Sequence, residues 1–92
     1  MKTKYLKINS SDNVAVAIDN LKAGDNILID NQPLVLNDDI PAGHKFALKD
    51  FTEGEAVIKY GYPIGHAKEK KKRGDWMNEN NIQTNLSGLL DY

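Results

Sequence analysis

The chain has 92 residues, no cysteine and a formal charge of −1 at neutral pH. That length supports one domain with one modest core, and 40% hydrophobic with 27% charged residues is a globular, not a disordered, composition. The charge provides no long-range field for nucleic acid or an anionic membrane, and the lack of cysteine rules out disulfides, thiolate metal sites and a thiol nucleophile.

The N-terminal Met1-Lys2-Thr3-Lys4-Tyr5-Leu6 lacks the apolar core of a signal peptide. No stretch approaches the ~18–20 apolar residues of a membrane span, so the cytoplasm is the expected location. Tyr5-Leu6-Lys7-Ile8 alternates and reads as a half-buried strand. Ser10-Ser11-Asp12-Asn13 offers helix N-caps, and Val14, Ala17, Ile18 and Leu21 follow at helical spacing. The pattern predicts one short N-terminal helix, with Gly24 as its left-handed C-cap. Beyond it come short strands: Asn26-Ile27-Leu28-Ile29, then Leu34-Val35-Leu36 after the turn Asp30-Asn31-Gln32-Pro33. Lys45-Phe46-Ala47-Leu48 and Ala56-Val57-Ile58-Lys59-Tyr60 follow, and Gly61 and Gly65 punctuate a further hairpin. The expected fold class is mostly β with one short helix, a single domain over residues 1–92 without internal repeats. The apolar cluster Leu86, Leu89 and Leu90 either packs on the domain or docks on a partner, so residues 82–92 form a candidate docking tail.

Self-contained chemistry is sparse. His44 and His66 belong to no local pair with metal-ligand spacing. Ser10 and Ser11 read as caps, and Ser87 has no nucleophile-elbow setting. The carboxylates mostly flank turns. The run Lys68-Glu69-Lys70-Lys71-Lys72-Arg73 lacks interleaved aromatics and reads as a solvated turn, not a nucleic-acid site. Trp76, after a Gly-Asp turn, reads as a core plug or an interface anchor.

Three blocks in order carry a resemblance. Asp12-Asn13-Val14-Ala15-Val16-Ala17-Ile18 is similar to the helix that opens the SAF-type small domain of altronate dehydratase-like sugar-acid lyases. Ile40-Pro41-Ala42-Gly43-His44-Lys45-Phe46-Ala47-Leu48-Lys49-Asp50 resembles the family's most specific block, and the run from Gly54 through Tyr60-Gly61-Tyr62-Pro63-Ile64-Gly65 to Ala67 resembles its hairpin. The resemblance implies a β-clip fold of short strands in a bent ribbon. It also implies a role beside a much larger catalytic domain: within one chain in altronate and galactarate dehydratases, or as a separate small subunit in relatives such as sulfolactate sulfo-lyase. The start at Met1 and end at Tyr92 are compatible with a complete small subunit.

What the family does sets the expected site. Proton abstraction beside a carboxylate leaves an enediolate that a divalent ion stabilises, and the resemblance implies iron or manganese in the assembled enzyme. His44 and Lys45 are the expected catalytic residues, His44 as ligand or proton donor and Lys45 pairing with a substrate carboxylate. Lys59 and Tyr60 are weaker substrate-binding candidates. The family's His-x-His-Asn metal pattern is Asn78-Glu79-Asn80-Asn81 here, so asparagine stands at both histidine positions. Amide oxygen is a poor ligand for iron-like ions beside imidazole, and Lys71 also stands where an apolar residue is usual. The site at Asn78 and Asn80 is then weakened, supplied by the large subunit, or lost, and this chain by itself is compatible with no cofactor at all. The expected partners are a large dehydratase subunit and a sugar acid, with self-association left open. The leading reading is an accessory subunit of a sugar-acid dehydratase, inactive alone. The other is a degenerate SAF domain serving as a non-catalytic carbohydrate-binding or scaffold module.

Overall fold

A computed structural model describes residues 4–84. Among them the chain forms strands and turns with no helix: β1 (Tyr5–Leu6), β2 (Val14–Ala17), β3 (Asn26–Ile29), β4 (Gln32–Val35), β5 (Lys45–Ala47), β6 (Ala56–Lys59), β7 (Tyr62–Ala67), β8 (Trp76–Met77) and β9 (Ile82–Thr84). They form a four-stranded sheet β1-β2-β5-β8, the hairpin β3-β4 and a three-stranded sheet β6-β7-β9, and every strand pair is antiparallel. No described helix is long and apolar enough to cross a membrane. Leu86, Ser87, Leu89 and Leu90 lie outside the described residues, whereas Ile82, Gln83 and Thr84 pair with β7.

The expected N-terminal helix is overturned. One helical face would have to bury Val14, Ala17, Ile18 and Leu21 together, yet Ile18 is 46% exposed while Ala15 is 1% exposed. The run Val14-Ala15-Val16-Ala17 instead lies between β1 and β5, where β-branched valines fit a pleated surface and each backbone edge finds a ladder. The expected caps act elsewhere. The Asp12 carboxylate accepts the N–H groups of Ile8 at 3.3 Å, Asn9 at 3.1 Å and Gly61 at 2.7 Å. Asn13 reaches the bulge in β6, where its Oδ1 accepts from Ile58 N–H and its Nδ2 donates to the Ala56 carbonyl.

The chain also contains a repeat, which the sequence reading missed. Turns at Gly24, Gly43, Gly54 and Gly74 all place glycine at positive φ, between 84° and 94°. They clasp in reciprocal pairs. Gly24 N–H donates to the Leu36 carbonyl and Gly43 N–H to that of Ala17; Gly54 N–H donates to Ala67 and Gly74 N–H to Ala47. Each accepting residue returns an N–H to the carbonyl of the residue just after the partner's glycine: Leu36 to Asp25, Ala17 to His44, Ala67 to Glu55, Ala47 to Asp75. Short bridges Leu21↔Ile40 and Phe51↔Lys71 complete the two clasps. Side chains lock across them as well: Asn20 Oδ1 accepts from Ala42 N–H, Asp39 from Ala23 N–H, and Asp50 from Arg73 N–H.

Each clasp encloses one hairpin, β3-β4 or β6-β7. Both hairpins turn through two residues at positive φ, Asp30 and Asn31 in the first and Tyr60 and Gly61 in the second, as a two-residue mirror-image turn requires. Residues 17–46 therefore correspond in order to residues 47–77, the second copy carrying one extra residue where β6-β7 shifts register between Val57 and Ile58. The two hydrophobic clusters repeat the pattern. Ala17, Leu21, Ile27, Leu34 and Phe46 belong to one; their counterparts Ala47, Phe51, Val57, Ile64 and Met77 belong to the other.

Candidate functional site

The duplication brings the ends of two turns together. β5 and β8 run antiparallel with Phe46 opposite Trp76 and Lys45 opposite Met77. The residues entering β5 therefore lie beside those leaving β8, and a pocket of about 290 Å³ opens there, lined by residues 43–45 and 76–80.

Local chemistry explains why His44 faces it. In the other three turns an acid follows the glycine and accepts a backbone N–H from three residues earlier: Asp25 from Lys22 at 3.0 Å, Glu55 from Thr52 at 3.0 Å, Asp75 from Lys72 at 2.8 Å. In the second turn the earlier residue is Pro41, which has no N–H to bind. The side chain after Gly43 is released from capping, and that side chain is His44. It is exposed and meets Trp76, whose Nε1–H donates to His44 Nδ1 at 3.3 Å, with ring centroids 5.5 Å apart and planes at 59°. Such tilted aromatic contacts are favourable beyond the area they bury.

The rest of the pocket is held from below. The Asp38 carboxylate accepts Trp76 N–H at 2.9 Å, anchoring the start of β8. The buried Asn81 builds the following turn: its Oδ1 accepts Asn78 N–H and its Nδ2 donates to the Trp76 carbonyl. Asn78 Oδ1 in turn accepts Asn80 N–H at 2.8 Å. Lys45 lines the pocket while only 7% exposed, so most of its side chain is out of water.

Of the residues singled out from sequence, the fold gathers His44, Lys45, Asn78 and Asn80 into one pocket. Lys59 and Tyr60 lie apart, at the tip of the β6-β7 hairpin, with the ammonium 4.9 Å from the ring centroid. His66 is exposed on β7. The sequence around Trp76 points only to a plug or an anchor; its contact with His44 depends on the β5-β8 register, which no local pattern encodes. The lysine-rich run forms the fourth turn, where Lys71 lies 3.9 Å from Asp75.

The donor set does not fit an iron-like ion. Among the described residues no three His, Cys, Asp or Glu side chains cluster. The only imidazole in the pocket has its Nδ1 engaged by Trp76, and the Asn78 oxygen is engaged by its own turn.

Comparison with known proteins identifies the family. Residues 3–85 match the family described as the altronate/galactarate dehydratase SAF domain. An altronate dehydratase from Escherichia coli is 46% identical over 89 residues, covering 97% of this chain and 18% of that protein. A galactarate dehydratase (L-threo-forming) from the same organism is 38% identical over 80 residues, covering 85% of this chain and 15% of that protein. A (2R)-sulfolactate sulfo-lyase subunit alpha from Chromohalobacter salexigens is 39% identical over 49 residues, 53% of this chain and 52% of that one. The chain thus spans under a fifth of the dehydratases it matches. It belongs to the altronate/galactarate dehydratase SAF domain family.

Proposed function

We propose that this chain is the small accessory subunit of a sugar-acid dehydratase and works with a separate large catalytic subunit in the cytoplasm. The observation that carries this reading is the match of residues 3–85 to the dehydratase SAF domain. The relative named as a subunit alpha supports a two-chain arrangement, and the bent, strand-only ribbon accords with a β-clip. One imidazole, one lysine, two carboxamides and the one exposed carboxylate of Glu79 are too few groups for a dehydration. Such chemistry takes a proton from beside a carboxylate and expels hydroxide. In the assembled enzyme His44 and Lys45 meet the substrate at the shared interface: His44 assists the departing hydroxyl, and Lys45 supplies positive charge toward the carboxylate. Any divalent ion the assembly uses, iron or manganese, is held outside this pocket.

The test is co-purification with a large dehydratase-like subunit, followed by dehydration assays on altronate and galactarate. His44→Ala is expected to leave the complex intact and lower turnover about 100-fold or more, the usual contribution of a proton-transferring side chain. Full activity of that variant refutes the catalytic role of His44. Failure to form any complex refutes the accessory-subunit reading. The asparagines at 78 and 80 specifically favour a second reading, a non-catalytic sugar-binding or scaffold module. A stable complex with unchanged activity after His44→Ala selects it.

A further inference from the structure

We propose that Trp76 fixes His44 as an Nε2–H hydrogen-bond donor, making the pocket a donor-lined site for the oxygen-rich end of a polyhydroxy carboxylate and not a metal site. The tautomer follows from one contact. Trp76 Nε1–H donates to His44 Nδ1 at 3.3 Å. An indole nitrogen is a donor only, so the imidazole nitrogen facing it accepts, and the proton of the uncharged ring sits on Nε2. A metal bound through Nε2 would need that proton moved to Nδ1, where it would point straight at the indole N–H. Histidine ligands are ordinarily supported by the opposite arrangement, their second nitrogen donating to a carboxylate or carbonyl.

The neighbouring groups point the same way. The Asn80 N–H engages the oxygen of the Asn78 amide, so the NH₂ end of Asn78 is the half left to meet a ligand. Lys45 also lines the pocket, and among the described residues the exposed Glu79 is the single carboxylate in the lining. Imidazole N–H and amide NH₂ together donate to hydroxyl and carboxylate oxygens and offer a bare cation no lone pair. The half-buried indole adds an apolar surface for the C–H groups of a polyol chain. Trp76 is thus a positioning residue that acts through His44. The tautomer rests on this geometry alone, whereas the choice of a sugar acid as ligand rests on the dehydratase reading.

The experiment is long-range ¹H–¹⁵N correlation of the histidine side chains in the ¹⁵N-labelled 92-residue chain, before and after adding galactarate or Mn²⁺. The wild type is expected to show His44 as a single Nε2–H tautomer. Trp76→Phe is expected to lose that preference, giving averaged shifts on both nitrogens, with the backbone amides of β6 and β7 unchanged as a folding control. Galactarate is expected to shift the His44 Nε2–H and Asn78 NH₂ signals. Mn²⁺ is expected to broaden neither selectively. An Nδ1–H tautomer in the wild type, or a tautomer unmoved by Trp76→Phe in a folded variant, overturns the positioning role. Selective broadening of His44 and Asn78 by Mn²⁺ overturns the donor-site assignment, and absence of a galactarate shift overturns the ligand class. None of these results depends on a partner subunit, so they fail separately from the co-purification test.

Discussion

The two copies of the repeat solve the same folding problem with different resources. The first, residues 17–46, supplies most of its own core, joined by Ala15 with Tyr5, Leu48 and Trp76 packed against it, and Lys7 pairs with Asp30 of its turn. Its core positions are filled by Leu21, Ile27, Ile29, Leu34, Leu36, Ile40 and Phe46, all buried, and its hairpin turns on Asp30 and Asn31, residue types that tolerate positive φ. Its clasp is capped from both sides by Asn20 and Asp39. The second copy places lysine at the counterparts of Ile29 and Ile40, namely Lys59 and Lys71, and Lys70 where a cap belongs. It is shored up from outside: Asp12 holds its hairpin turn, Asn13 fills its bulge, and Ile82 of β9 joins its cluster. Duplicated backbone geometry does not require duplicated side-chain support.

The sharpest way to break this symmetry is at glycine. Gly43 and Gly74 occupy matching turns at φ of +84° and +94°, but a methyl on Gly43 meets nothing within 4 Å, whereas one on Gly74 runs into the Val35 carbonyl. Gly74→Ala is expected to cost about 3 kcal/mol or more, from overpacking added to left-handed strain. Gly43→Ala is expected to cost about 1–2 kcal/mol from strain alone. Urea denaturation of both variants reads the difference.

The next largest effect tests the outside support. Burial alone would push the Asp12 carboxyl upward, but N–H groups of Gly61, Asn9, Tyr60 and Ile8 outweigh it and hold the group below its ordinary 3.8. A carboxylate that is more acidic folded than unfolded stabilises above its unfolded value, and that stability is lost as pH falls through the folded value. Asp12→Asn is therefore expected to cost about 1–3 kcal/mol at pH 7 and to flatten the loss of stability below about pH 4. Thermal melts from pH 7 to 2 measure both.

Smaller effects sharpen the comparison by making the second copy more like the first. Tyr60 holds φ of +56° where the first hairpin has Asp30. Tyr60→Asn is expected to gain about 0.5–1 kcal/mol by relieving left-handed strain. Lys70→Asp restores the cap that Asp39 provides in the first clasp and is expected to gain about 0.5 kcal/mol. A melting temperature lowered by either change contradicts the correspondence between the copies.

Much of the fold was legible where it is local. Asn26–Ile29 is a strand as its composition and flanking turns predict, and Asp30-Asn31 is the turn that follows. The block around His44 and Lys45 marked one wall of the pocket. The helix was misread because a strand buried along much of its length loses its two-residue alternation, and Val14, Ala17 and Leu21 then imitate helical spacing. The repeat was hidden because hairpins separate the clasping turns, leaving Gly24, Gly43, Gly54 and Gly74 unevenly spaced. Trp76 could not be assigned to His44 before the β5-β8 register was known.

Pro41 makes position 44 different in kind from its three counterparts. At 25, 55 and 75 the acid is part of the architecture, and altering it unties a turn. At 44 the proline has already closed the turn, leaving a side chain that no backbone group depends on. Chemistry and architecture are separable there: diverse residues at 44 are expected to lower the melting temperature only by the loss of the Trp76 contact, so an evolving or engineered version of this scaffold can exchange its reactivity there while keeping its shape.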